Sequence, residues 1–263
     1  MNKFLKKLAL LGILGLVALQ TVTADDVDDI SKQLSNPVSS LKNLPLRYDY
    51  DKDIGPNYGS RHTLRVQPII SFKINDKWSG ISRTVIPLIT QHDVLPDSTQ
   101  TGIGDIQESL FFATTTESKV TVGFGPIFGI PTYDSDFSSK RWGVGPTALV
   151  LIDPGKWTIG ALGNHMWSFA GPGVEGDKGY FSKTVIQPFV TYQLGKGWSI
   201  GANSESFYDW KEDELTVPLT VQLSKVAKIG DMPVSFAIAP NYYIVRPDSG
   251  PRWGARAVVT LVF

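Results

Sequence analysis

The sequence predicts an all-β fold: a closed antiparallel transmembrane barrel of about twelve strands, preceded by a short helical segment. Three observations carry this. Runs with a two-residue period, apolar on one face and polar on the other, fill the chain from about residue 46 onward. The links between them alternate between tight turns and long polar loops. The final run alternates up to the last residue, so the last strand has the pattern needed to pair with the first and leave no open edge.

Residues 1–24 read as an export signal. Lys3, Lys6 and Lys7 form a positive start, Leu8 to Leu19 an apolar core, and Val22-Thr23-Ala24 a small-residue cleavage site before Asp25-Asp26. Loss of the leader takes the formal charge from 0 to −3, which does not suggest a nucleic-acid partner. No later stretch approaches 18 apolar residues, so no membrane helix is expected in the mature chain. With no cysteine, an exported chain has neither a disulfide nor a lipid-bearing thiol.

Residues 25–45 form the next unit. Ile30, Leu34, Val38, Leu41 and Leu44 recur at helical spacing, and Asn36-Pro37 divides the segment into two short helical pieces. Asp25, Asp26, Asp28 and Asp29 favour the positive end of the first helix. The segment is a candidate plug in the barrel mouth; a free periplasmic position is the alternative.

Residues 46–263 form the barrel. Its runs lie near Leu46–Lys52, Arg61–Ile74, Trp78–Gln91, Gly102–Thr114, Val120–Pro131, Trp142–Ile152, Trp157–Phe169, Thr184–Leu194, Trp198–Trp210, Leu215–Val226, Pro233–Val245 and Arg252–Phe263. Tight turns include Asn75-Asp76-Lys77, Asp153-Pro154-Gly155-Lys156 and Gly195-Lys196-Gly197. Longer links run over 92–101, 132–141 and 170–183. A Greek-key sandwich would not keep this parity.

An aromatic girdle is expected from Trp78, Trp142, Trp157, Trp167, Trp198, Tyr208 and Trp210. Trp157 and Trp167 are ten residues apart, roughly 33 Å along a strand and roughly 25 Å upright, the height of an apolar band. In the last run Trp253, Leu261 and Phe263 share the apolar face, and the pattern resembles the C-terminal assembly signal of outer-membrane barrels.

The inward positions carry Arg65, Arg83, Asp105, Glu205, Asp209 and Arg256. These are the lumen candidates, read as a charge-selective constriction or as an ion-pair network filling a narrow barrel. Some positions resist simple alternation. Asp105 and Glu108 have opposite parity, and Arg83 shares its face with Ile81, Val85 and Ile89. Asn164 and His165 cannot face the same way, and parity sends His165 outward. Gly123-Phe124-Gly125-Pro126 and Gly143-Val144-Gly145-Pro146 are not phosphate loops, since no Lys-Ser/Thr and no helix follows.

Several motifs together resemble a family of exported Gram-negative transporters grouped with outer-membrane proteins of the phenol meta-degradation pathway. They include Ser35-Asn36-Pro37-Val38-Ser39-Ser40-Leu41, Gln67-Pro68-Ile69-Ile70, Ser82-Arg83-Thr84-Val85-Ile86-Pro87, Gly102-Ile103-Gly104-Asp105 and Trp142-Gly143-Val144-Gly145-Pro146-Thr147. Asn164 to Gly171, Gln187-Pro188-Phe189 and Ser204 to Trp210 complete the set. The resemblance implies an outer-membrane barrel and brings no catalytic residues with it.

The function expected is passage of a small solute, aromatic or hydrophobic ones included, through a polar lumen. The partners expected are outer-membrane lipid, the barrel-assembly machinery and that solute. No cofactor is expected, and His62, His92 and His165 lack metal-ligand spacing. A non-conducting structural or adhesive barrel is the alternative, with a soluble exported β-protein behind it. A lipid hydrolase using outward His165 with Ser204 or Ser206 is a further one.

Overall fold

The computed structural model describes residues 24–95, 98–133, 137–171 and 180–263. Residues 1–23 of the export signal read over 1–24, and the tips of the three long loops, lie outside them. Among the described residues one helix, α1 (Ala24–Leu34), precedes fifteen strand segments that form a single antiparallel sheet. They are β1 (Asn43–Ile54), β2 (Gly59–Val66), β3 (Ile69–Lys73), β4 (Ser79–His92), β5 (Thr99–Ile103), β6 (Ile106–Thr115), β7 (Val120–Ile130) and β8 (Trp142–Ile152). Then follow β9 (Trp157–Ala170), β10 (Ser182–Gly195), β11 (Trp198–Asn203), β12 (Ser206–Asp209), β13 (Glu214–Ile229), β14 (Met232–Val245) and β15 (Trp253–Val262).

Three pairs of segments are single barrel strands with a break: β2 with β3, β5 with β6, and β11 with β12. Each member of a pair bonds the same neighbouring strand, which leaves twelve strands in the wall. The barrel closes between β15 and β1, from Asn43 opposite Val262 to Lys52 opposite Trp253. The amide of Phe263 extends that ladder to the carbonyl of Lys42 at 2.9 Å.

The breaks share a setting. A proline has no N–H, so the strand facing it loses a ladder bond and kinks. Each break lies across from a proline on a neighbouring strand: Gln67 bonds the carbonyl of Pro45, Gly104 that of Pro87, and Ser204 that of Pro188. These positions resolve the parity conflict of Asp105 and Glu108. Asp105 falls in the gap between β5 and β6, while Glu108 faces outward, bonded by the hydroxyls of Ser82 at 2.6 Å and Thr84 at 2.5 Å.

Outward faces are apolar as expected. Leu215, Leu219, Val221 and Leu223 are exposed, while Thr216 and Thr220 between them are buried. Trp78, Trp157 and Trp198 follow the short turns; Trp142, Trp167, Tyr208, Trp210 and Trp253 lie toward the long loops. Edge-to-face pairs form at both ends of the barrel, among them Trp78 with Phe124 at 5.9 Å and Tyr208 with Trp210 at 4.8 Å between ring centres. A charge on the outer wall should be costly if lipid covers it. Val221→Arg is expected to lose about 2–4 kcal/mol on refolding into bilayers, and the inward neighbour Gln222→Arg far less. Equal losses in urea titrations would argue against a lipid-facing wall.

The inside departs from the expected polar lumen. Inward Ile81, Phe111, Ala113, Leu149, Leu151 and Leu162 of β4, β6, β8 and β9 form an apolar core with Val38, and Ile69 and Phe189 pack against it. This explains why Arg83 shares a face with Ile81: both point inward, toward different parts of an amphipathic interior.

The N-terminal segment supplies that core's remaining member. The helix ends at Leu34, and residues 35–42 turn where a second helical piece was expected. The side-chain carbonyl of Asn36 accepts the amide of Val38 at 3.0 Å, an Asx turn that competes with helix before and at Pro37. α1 lies inside the barrel at the short-turn end. Ser31 donates to the inward Gln193 at 2.7 Å, and Gln193 donates to Ser35 at 3.0 Å. Lys32 bonds the carbonyls of Trp157, at 2.9 Å, and Gly155, and Asp28 accepts the amide of Gly197. Asp26 pairs with Lys228 at 3.6 Å.

Candidate functional site

The alternation of β1 puts Leu46, Tyr48 and Tyr50 on one face and Arg47, Asp49 and Asp51 on the other. Pairing then fixes their neighbours. Arg47 lies opposite Arg65, and Asp49 opposite both Thr63 and Arg256. Asp49 is 2% exposed and sits at the centre of the group. Its carboxylate accepts from Arg47 at 2.8 Å, Arg256 at 2.7 Å and Arg65.

Glu205 reaches the same cluster from across the barrel. It stands in the gap between β11 and β12, opposite Pro188, where the chain is free of the ladder. Its carboxylate accepts from Arg47 at 2.9 Å and lies 3.9 Å from Arg256. The register runs on unchanged through this gap, so Glu205 keeps the inward parity of Asn203 and links the two sides of the lumen. Arg83 completes the ring: with Arg47 and Arg256 it lines a cavity of about 300 Å3. The floor of that cavity is the α1 segment, through Ser31, Leu34, Ser35 and Asn36.

Four of the expected lumen residues, Arg65, Arg83, Glu205 and Arg256, therefore converge. Two do not. Asp105 accepts from the hydroxyl of Ser138 at 2.6 Å and the amide of Ser139 at 2.9 Å, tying the loop after β7 into the barrel. Asp209 pairs with Lys183 at 3.1 Å and receives the amide of Lys211 at 3.0 Å, ordering the turn after β12. Both lie toward the long-loop end. Asp105 and Lys183 also line a second interior cavity of about 360 Å3, with Phe137, Met166 and Phe181. Sequence reasoning omitted Arg47 and Asp49, although their alternation with Leu46, Tyr48 and Tyr50 was a usable signal.

His165 faces outward, as parity required, and its ring centre is 4.1 Å from that of Trp167. Its Nδ1 is 2.7 Å from the hydroxyl of Thr184 and its Nε2 is 3.3 Å from that of Ser182. Ser204 and Ser206, the serines weighed for a hydrolase, bond each other at 2.8 Å instead. A threonine hydroxyl occupies the ring nitrogen that a carboxylate orients in a hydrolytic triad. His62 and His92 are brought together across β2 and β4, ring centres 5.7 Å apart, which their separation in sequence concealed. Among the described residues no group of three metal-ligating side chains is present.

The chain superposes on the COG4313 outer membrane channel from Pseudomonas putida F1 with a TM-score of 0.67. That match covers 85% of this chain and 96% of the channel at 13% identity. The fold is one that a solved outer membrane channel also has. This agrees with the barrel that the sequence motifs implied. The monoaromatic hydrocarbon channel CymD matches at a TM-score of 0.48 and 10% identity, over 94% of each chain. The calcium-bound phospholipase dimer of Salmonella typhi matches at 0.45 and 11% identity, over 92% of this chain and 98% of that one. No family model and no curated protein matches the sequence.

Proposed function

We propose that the protein is an outer-membrane channel that admits a small solute with a hydrophobic or aromatic body, and that residues 25–42 close its periplasmic end. The observation that carries this reading is the interior itself. Two cavities lie within one closed barrel, and the charged ring and α1 contribute lining residues to the same one. An apolar wall faces part of this space, which suits a solute with an apolar body better than a sugar or an ion. The solved structure sharing the fold is itself named an outer membrane channel, and the short turns fall on the side that such barrels present to the periplasm. The ring of Arg65, Arg83, Glu205 and Arg256, with Arg47 and Asp49, acts in this proposal as the selecting constriction.

The test is flux through the refolded mature chain in liposomes. Small aromatic solutes should enter faster than sugars of similar size, and full-length protein should pass ions only weakly in planar bilayers. No flux of either solute, with or without residues 25–42, would overturn the proposal. It would favour a filled, non-conducting barrel, the reading that the ion-pair network also permits.

A further inference from the structure

We infer that the inner cavity is a binding site for an amphiphilic anion: a carboxylate, or a similar compact anionic head, on an apolar body. The inference deepens the channel reading and rests on it.

Charge at the site does not balance. Arg47, Arg83 and Arg256 line the cavity with no carboxylate among its lining residues, and the two carboxylates bonded to this group are Asp49 and Glu205. The two carboxylates are taken up by three of the arginines: Asp49 by Arg47, Arg65 and Arg256, and Glu205 by Arg47 and Arg256. Arg83 lies within electrostatic reach of Glu205, yet among the described residues no hydrogen bond or close ion pair is made by its guanidinium, which lines the cavity. A guanidinium in a confined interior, with its fork of donors unfilled, is a ready-made receptor for a planar carboxylate.

The rest of the lining supports an amphiphile over a free ion. Ile69, Leu162 and Phe189 line the same cavity, and Leu162 belongs to the apolar core against which the other two pack. Asn203, also in the lining, has a buried side-chain oxygen without a partner. It offers an acceptor to a ligand that carries a hydroxyl. A cavity of about 300 Å3 lies at the small end for ligand pockets, so the body is a single ring or a short chain.

The test uses the full mature chain in zwitterionic nanodiscs, with empty discs as the blank. Three probes share one body and differ in the head: 4-phenylbutyrate, 4-phenylbutanol and 4-phenylbutylammonium. Equilibrium dialysis should show the carboxylate binding about tenfold more tightly than either of the others, the size of one charge-assisted hydrogen bond. Arg83→Gln should abolish that preference, and Arg83→Lys should restore part of it. Equal binding of the three probes, preference for the ammonium, no binding at all, or a preference that survives Arg83→Gln would overturn the inference. Conductance separates this from the channel reading. Anion-selective binding in a barrel that passes nothing defeats the channel and keeps the site, whereas flux without head-group preference defeats the site alone.

Discussion

Deleting residues 25–42 is expected to raise single-channel conductance several-fold. The segment is bonded along its length to the inner wall, through Asp28 at Gly197, Lys32 at the carbonyls of Gly155 and Trp157, Ser31 at Gln193, and Ser40, whose carbonyl accepts from Ser71. Its Val38 also fills the apolar floor of the interior. Removal exposes that floor and shortens the closed end to the charged ring. A point variant separates plugging from damage to the wall. Asp28→Ala with Lys32→Met cuts two anchors while keeping Val38 in place, and should give intermittent openings in place of a steady increase. Unchanged conductance in both variants would move the narrowest point to the arginine ring and end the plug assignment.

Asp49→Ala is expected to destabilise the folded barrel by about 3–5 kcal/mol, the cost of stripping the partner from buried charges. Three guanidinium groups share this one carboxylate, and both their side chains and the acid are largely removed from water. Losing it leaves Arg47, Arg65 and Arg256 repelling one another across β1, β2 and β15, the strands beside the closing seam. The measurement is the urea midpoint of the lipid-reconstituted barrel, together with the shift in migration between heated and unheated samples. Asp49→Ala with Arg65→Gln should recover part of the loss, because it removes a charge that the first change left unpaired. A single variant as stable as the parent would mean that water already reaches Asp49 freely and that the ring is not a desolvated network.

Most of the wall was legible in the sequence because a two-residue period cannot be hidden. In β13 the outward leucines and valines alternate with Thr216, Thr220, Gln222 and Ser224, and a slip of one residue would turn the whole apolar set into the lumen. The same reasoning placed His165 outward and Arg65, Glu205 and Arg256 inward. It failed opposite Pro87, where the pairing slips by one residue, from Leu88 opposite Ile103 to Val85 opposite Gln107; past Pro45 and Pro188 the register and the parity run on unchanged.

By itself, then, the sequence determined the fold class, the strand number and the face on which each regular residue lies, because these depend on the local alternation of side chains along an extended chain. Only the tertiary structure decided which inward charges meet. Asp105, Asp209 and Glu205 have the same chemistry and all point inward, yet only Glu205 joins the arginines. Height in the barrel and strand stagger are set by pairing register between segments far apart in the chain, as when Arg256 comes to rest beside Asp49. Register likewise decided that Arg83 meets the cavity and the field of Glu205 without a direct hydrogen bond, because a side chain's sign is written locally and its neighbours are not.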